Sequence, residues 1–350
     1  MGVDEPLRLP RGRAIALNAG SSSLKAALFA DRSEIWRREA PIHPDDPESV
    51  ERAVSELLDA FGDETPNVVG HRVVHGGDKL HAPTAITDSV IAELEAATAL
   101  APLHQPIGVA VIRAARARLP KVHQVACFDT DFCWSLPLVA SRLPIPTRFA
   151  DRGIRRYGFH GLSYEYITRS FAGLLGARSV VAHLGSGSSL VALRHGVPLD
   201  TTMATTPLGG VVMSTRSGDL DPGAVCAIAR VDGDIDATEH ALAFESGLLA
   251  LSGTSGDLAE LVERVDNDDG ARLAVDAYVA SVAKTVAGFA TVLGGLDTLV
   301  FTGGVGVHNA FVRTAVVERL VPLGLKFDAR FVATNEERMI AWHALHTMSF

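Results

Sequence analysis

RAIALNAGSSSLKAALFA, residues 13–30, holds two apolar runs divided by a small polar turn. Residues 13–18 and 24–29 read as short strands, and the turn Gly20–Ser23 makes the segment a hairpin. Such a turn bares backbone N–H groups, which suits it to hold an anion. The arrangement returns in the second half as 179–184 (SVVAHL), the turn Gly185-Ser186-Gly187-Ser188-Ser189 and 190–194, with His195-Gly196 turning into a third strand. Two such hairpins, one in each half, predict a duplicated α/β domain.

Outward from the hairpins, 48–61 and 88–100 read as helices and Val68-Val69-Gly70-His71-Arg72-Val73-Val74 as a buried strand. The second half offers a long helix over 271–294, the strand 298–302, a turn Gly303-Gly304-Val305-Gly306 and a helix from Asn309 to Leu320. Strand, Gly-rich turn and helix N-terminus together form an anion- or nucleotide-binding arrangement. The chain's 350 residues, 47% hydrophobic, suffice for two cores. Leu143-Pro144-Ile145-Pro146 is the linker candidate, so the expected domains are 11–150 and 151–337, with 338–350 able to rejoin the first.

The charge balance, 41 acidic against 32 basic residues for a net −9, argues against a nucleic-acid or membrane partner, both of which call for a basic surface. Three cysteines, Cys127, Cys133 and Cys226, are too few and too irregular for a disulfide framework, which fits a reducing cytoplasm. The acidic, proline-bearing start lacks the apolar stretch of a signal peptide, and no uninterrupted apolar run reaches membrane-spanning length. The patterns G-x-x-x-x-G-K-[ST], G-x-G-x-x-G and G-x-S-x-G are absent, which lowers the case for Walker kinases, dinucleotide enzymes and α/β-hydrolases.

Positive charge in this acidic chain must act locally. Arg72 stands in a Val-rich strand, where a guanidinium needs an anionic partner, either a structural carboxylate or a ligand. His71 and His75 share the spacing of a helical metal pair, but on a strand they would stand about 13 Å apart, so no zinc site is expected. Asp129 follows the apolar strand Val122 to Phe128, where a carboxylate either faces a crevice or caps a helix. His160 lies in Arg155-Arg156-Tyr157-Gly158-Phe159-His160-Gly161, and Gly161 allows close backbone approach of a ligand. Arg216 sits in the polar loop Ser214-Thr215-Arg216-Ser217-Gly218-Asp219.

Taken together, LNAGSSSLK, GHRVVHGG, APLHQP, FDTDF, IRRYGFHGLS, AHLGSGSS, DTTMATTPLGG, STRSGDLDP, SGTSGDL, FTGGVG and ATNEERMIA resemble the acetate kinase family, in the superfamily of acetate and sugar kinases, hexokinase and actin. The segments occur in the family's order and span nearly the whole chain. The resemblance implies two ribonuclease-H-like α/β domains facing a cleft, and reversible phosphoryl transfer from ATP to acetate or another short carboxylate with Mg²⁺. It implies that Arg72 binds the carboxylate, with Val74, Leu103, Phe159 and Pro207 forming an apolar acyl pocket. By the same resemblance Asp129, His160 and Arg216 are catalytic, Asn18 and Glu336 hold Mg²⁺, and Lys25 with the turn His183, Leu184, Gly185, Ser186 and Gly187 meets the nucleotide phosphates. Asp257, Leu258, Ala259, Gly304, Val305, Gly306, Val307 and His308 match the nucleotide-binding segments. A homodimer is expected from the resemblance alone; propionate kinase is the near neighbour, and a degenerate nucleotide-binding kinase the alternative.

The chain departs from the family pattern on one side. Ser186 stands where the family has Asn, Val307-His308 where it has Glu-Asn, Ala259 where it has Arg, and Gly209 where it has Glu. The chain is also shorter between Lys25 and Arg72 and between Gly306 and Glu336. These changes fall on the nucleotide side, so the reading is retained acyl-phosphate chemistry with altered donor affinity or choice, since alanine neither stacks nor donates as arginine does. Pyrophosphate as donor is the less favoured option.

Overall fold

The structure, a computed structural model, describes residues 7–20, 23–43, 46–62, 65–102 and 104–348. The opening hairpin forms as read: β1 (Arg13–Ala19) and β2 (Ser23–Ala30) pair antiparallel with Asn18 opposite Lys25. The Gly20 N–H donates to the Ser23 carbonyl at 2.8 Å and closes the turn. Added to them are β3 (Ser33–Pro41), β4 (Val68–Val73), the two-residue β5 (Thr84–Ala85) and β6 (His123–Phe128), in the order β3-β2-β1-β4-β6-β5. β4 is parallel to β1, and β6 to β4.

The second sheet repeats the plan. β7 (Arg178–His183), β8 (Ser189–Arg194) and β9 (Val197–Thr201) run antiparallel, and β10 (Thr298–Thr302) and β11 (Asp328–Phe331) add in parallel beyond β7, giving β11-β10-β7-β8-β9. Three antiparallel strands followed by parallel ones, built twice, bear out the duplication read from the hairpins and form the ribonuclease-H-like pattern that the resemblance implies.

The helix Asp269–Leu293 covers the second sheet. Asp268 caps it by accepting from the Ala271 N–H, and Gly294 ends it in the left-handed conformation. Its length and composition alone would suit a membrane span, but Val275, Val279, Val282 and Val286 are buried in one core with Ala182, Leu299 and Phe301 of the sheet. The helix Glu336–Thr347, capped by Asn335, packs on β1, β4 and β6. Its Ile340 and Ala344 share a core with Ala16 and Val125 of the first sheet and Val181 and Val300 of the second. The two sheets are thus joined through buried apolar surface, the dominant favourable term in folding.

Some elements differ from the sequence reading. Gly303–Gly306, read as a turn, opens the helix Gly303–His308, and the segment 88–100 divides into an α-helix Asp88–Ala96 and a 3₁₀ turn Ala97–Leu100. The strand Val68–Val74 stops at Val73.

Gly70 on β4 lies where that C-terminal helix crosses. A Cβ there would come within 2.6 Å of Ile340 Cγ2 and 3.1 Å of the Ile340 carbonyl. Gly70→Leu is expected to lower stability by about 1–3 kcal/mol through overpacking, read as a lower urea midpoint. An unchanged midpoint would contradict the close crossing.

Candidate active site

The chemistry-bearing side chains converge where strands of both sheets end. Gly20, Arg72, Val74, His104, Asp129, Phe159, His160, Gly187, Pro207 and Arg216 line one cavity of about 170 Å³. Arg72, from β4, is mostly buried. It donates from Nε and Nη2 to Asp129 Oδ2 at 3.0 and 2.6 Å and from Nη1 to the Ala19 carbonyl at 2.8 Å. Burial opposes its charge, but Asp129 and Glu336 hold its pKa above the ordinary value.

Asp129 follows β6, its N–H donating to the Val73 carbonyl. Of the two alternatives, the crevice is where it sits. Burial is the largest influence and raises its carboxyl to about 6, with Glu336 adding to the rise and Arg72 opposing it. Its Oδ1 is buried with no hydrogen-bond partner.

Arg216 has a different environment. Nη1 donates to the Pro207 carbonyl at 3.3 Å and Nη2 to His104 Nε2 at 3.1 Å. Both partners are neutral, because burial, then Arg216 and Arg72, push His104 down to about 3. Burial and the nearby Arg72 also lower Arg216, to about 10, which still leaves it protonated at neutral pH. Among the described residues no carboxylate pairs with Arg216.

His160 stands beside this charge in the left-handed conformation (φ 58°) ahead of the helix Gly161–Ser170. Its Nδ1 is hydrogen-bonded to Ser189 Oγ at 2.8 Å, Ser189 also meets the Tyr164 hydroxyl, and the ring stacks on His183 at 4.2 Å. Burial, followed by His183 and the two arginines, drives its pKa well down, so the ring is neutral. Gly161 does something other than expected. A Cβ there would fall 2.4 Å from the Asp129 carbonyl, so the glycine admits the chain's own backbone and not a ligand.

Val74 and Phe159 are buried in a small apolar cluster with Ala101, Met203 and Met213 at the cavity wall, and Pro207 lines it. Leu103 lies outside the described residues. On the opposite flank Asn18 Nδ2 donates to Glu336 Oε2 at 3.1 Å and Glu337 Oε1 at 2.8 Å. Burial works against the Glu336 charge, yet Arg72, His183, Asn18 and Lys25 together hold its pKa below the usual value. Asp129, Glu336 and Asn18 supply hard oxygen donors, and the orphaned Asp129 Oδ1 gives a cation something to satisfy. Among the described residues no three His, Cys, Asp or Glu groups form a ready cage.

The loops read as nucleotide-binding form one continuous rim. Val305 and Gly306 donate to the Leu184 carbonyl, Ser214 N–H donates to the Ser186 carbonyl, and Ser214 Oγ to that of Gly256 at 2.6 Å. Gly187 sits against Arg216 and His160, where a Cβ would meet Arg216 Nη1 at 3.3 Å. Gly304 and His308 are exposed, and Arg313 holds the Gly306 and Val307 carbonyls. Two residues of the set are occupied elsewhere: Leu184 is fully buried with its N–H donating to Thr302, and Leu258 belongs to the core of the second sheet. Asp257 accepts from the Ala259 and Glu260 N–H groups as a helix cap, and the Ala259 methyl is exposed.

His104 and the Ser189–Tyr164 pair had no role in the sequence reading. His104 lies in APLHQP, a Pro-flanked histidine whose only signal was that context.

The acetokinase family profile matches residues 36–344. An acetate kinase of Deinococcus deserti is 41% identical over 347 residues, covering 90% of this chain and 87% of that protein. Among solved structures, a propionate kinase from Francisella tularensis superposes with a TM-score of 0.87 at 30% identity, over 95% of this chain and 99% of the other. The acetate kinase of Porphyromonas gingivalis superposes at 0.81 with 31% identity, over 96% and 99%.

Carbon-13 titration of the Asp129 carboxyl should show a midpoint near 6, against about 3.9 for an ordinary aspartate. Arg72→Met should move it higher, since the guanidinium pulls it down. Between those two pH values the native state holds a proton that the unfolded chain lacks, so the stability contributed by Asp129 is greatest below about pH 4 and is lost as pH rises through 6. A midpoint near 4, or a fall in the variant, would contradict the burial argument.

Proposed function

This chain belongs to the acetokinase family, and we propose that it is an acetate kinase-like phosphotransferase, moving the γ-phosphoryl of ATP reversibly to acetate or another short carboxylate. The observation that carries the reading is Arg216: a buried, protonated guanidinium whose partners among the described residues are neutral, facing the cavity that Arg72 and Asp129 also line. A buried cation without an internal counter-ion favours an anionic ligand.

The substrate carboxylate is already ionised near neutral pH, so no base is needed to make it a nucleophile. Its oxygen forms the new bond to phosphorus as the bond to the ADP oxygen breaks, and no proton is transferred. The barrier is repulsion between two anions and the charge of a loose transition state, so catalysis rests on positioning and on cations. We assign Arg72 to the carboxylate, with Val74, Phe159 and Pro207 against its alkyl part. Arg216, held in aim by the neutral His104, meets the transferring phosphoryl. His160, held by Ser189, offers Nε2 to the same group; this requires the proton on that nitrogen, with Ser189 donating to Nδ1. Asp129 orients Arg72 and, with Asn18 and Glu336, would hold Mg²⁺, which neutralises phosphate charge when bound.

The nucleotide would lie along the rim of 185–187, 256–259 and 303–308, with Lys25 near its phosphates. Leu184 and Leu258 act there by holding the loops. Ala259 supplies no guanidinium, so we propose weaker or altered nucleotide selection with the carboxylate side retained. We also take residues 11–150 and 151–337 as the two lobes facing the cleft, with the C-terminal helix returning to the first, and propose a cytoplasmic homodimer.

Hydroxylamine trapping with ATP and acetate, propionate or butyrate should yield hydroxamate. None with any acid, and none with GTP or pyrophosphate either, would overturn the reading in favour of a binding protein. Arg216→Ala should lower turnover by roughly 10³-fold or more, the scale of a lost phosphoryl-binding arginine, with an unfolding midpoint no lower than that of the wild type. Near-normal turnover in the folded variant would remove Arg216 from the site.

A further inference from the structure

His75 is a fully buried histidine to which the roles assigned above give nothing to do. It follows β4 and Val74, and its backbone is fixed: its N–H donates to Gln105 Oε1 at 3.2 Å, and Gln105 Nε2 donates to its carbonyl at 2.8 Å. The two ring nitrogens are not equivalent. The Gly77 N–H donates to Nδ1 at 2.8 Å, so that nitrogen carries a lone pair and the proton belongs to Nε2. Nε2 meets the Thr205 carbonyl at 3.2 Å, which can only accept. Burial lowers the pKa to about 4, with the bond to Thr205 opposing, so the ring is neutral near pH 7. Both partners therefore demand the same tautomer.

Thr205 belongs to the loop that follows β9 of the second sheet and leads to Pro207. Pro207 lines the cavity, and its carbonyl accepts from Arg216 Nη1. The His75 ring also packs edge-on against Phe159, with centroids 5.6 Å apart at 71°, and against Tyr157 at 4.5 Å and 67°. Within the second half of the chain the loop is held at its base, where Thr205 Oγ1 donates to the Arg155 carbonyl at 2.8 Å and the Tyr157 N–H to that of Ala204. His75 ties the same stretch to the first sheet. Resting on the phosphotransferase reading, we propose that His75 is a positioning residue for that reaction: its Nε2–H clamps the Thr205 carbonyl, and so sets Pro207 and Phe159 against the acyl group and fixes the carbonyl that steadies Arg216. Arg72, which takes the carboxylate, and His75 come from the same strand and the turn after it. The spacing between the carboxylate's anchor and the wall facing its alkyl part is thus set at one strand end. Without the donor, the Thr205 carbonyl must find another partner, and the loop shifts to provide one.

Two amide side chains separate the roles of the two nitrogens. Glutamine sets its amide nitrogen where Nε2 lies and can donate to Thr205, whereas asparagine reaches only the Nδ1 position, accepts from Gly77 and leaves Thr205 unmet. In the full chain, amide hydrogen exchange over residues 203–210 should quicken in His75→Asn and stay near the wild-type rate in His75→Gln. Hydroxamate formation should follow the same order. We expect kcat/KM for acetate to fall roughly tenfold to a hundredfold in His75→Asn, the scale of a misplaced substrate contact, with KM for acetate rising more than KM for ATP and His75→Gln recovering most of the loss. Circular dichroism melts check that both variants are folded, and nitrogen-15 spectra of the wild-type ring, which need no variant, should place the proton on Nε2. A proton on Nδ1, equal exchange in all three proteins, a loosened loop with unaltered acetate kinetics, or a folded glutamine variant as impaired as the asparagine one would each overturn the clamp. A wild type that forms no hydroxamate with any acid would instead sink the phosphotransferase reading, and the exchange rates would still decide whether His75 holds the loop.

Discussion

A guanidinium buried without a carboxylate partner among the described residues is the constraint around which this site is organised. Arg72 has Asp129 for company, but Arg216 is held by a carbonyl and a neutral imidazole. Leaving a cation so placed costs several kcal/mol of lost hydration, and the cost is offset when a phosphate enters. The neighbouring histidines follow from it. Burial first, and then the field of two arginines, disfavours a protonated imidazole, so His104 can accept a hydrogen bond and His160 can act as a neutral donor. The net −9 of the whole chain makes the cavity a local exception to the prevailing charge.

The scaffold brings these groups together by repeating one sheet. Arg72 and Asp129 come from the ends of parallel strands in the first, and His183 and the turn to Gly187 from the second. Crevices beyond the carboxyl ends of strands are where such sheets bind ligands. The C-terminal helix ties the two halves. It is packed on β1 and β4 through Ile340 and Ala344, and its first turn delivers Glu336 and Glu337 to Asn18 on β1. Arg37 on β3 completes that junction through Glu337 and Asn335. Arg72 and Asp129 and the carboxylate flank therefore stand on the same sheet.

Much of this was legible in residues alone. Alternating apolar runs around Gly-Ser turns marked both hairpins, because strand period and turn chemistry are local properties. Arg72 stood out as a charge in a Val-rich strand. What escaped depended on tertiary contact. β3 is mostly exposed, and β11 entirely so, and neither shows the alternation that a half-buried strand would. Gly303 opens a helix against the Leu184 carbonyl, a close approach no local pattern announces. Gly161 reads as room for a ligand but serves the Asp129 backbone, and Leu258, which the motif sets among nucleotide contacts, is claimed by the core. His104 owes its part to a partner 112 residues away.

The most direct test of the central claim is a crystal structure of the full chain grown with ADP, Mg²⁺, fluoroaluminate and acetate, the fluoroaluminate standing in for the transferring phosphoryl and its fluorines for the phosphoryl oxygens. The account predicts the fluorines of the fluoroaluminate within hydrogen-bond distance of Arg216 and His160, and the acetate carboxylate on Arg72 with its methyl toward Val74 and Phe159. Fluoroaluminate bound elsewhere, with Arg216 still on Pro207 and His104 alone, would contradict it.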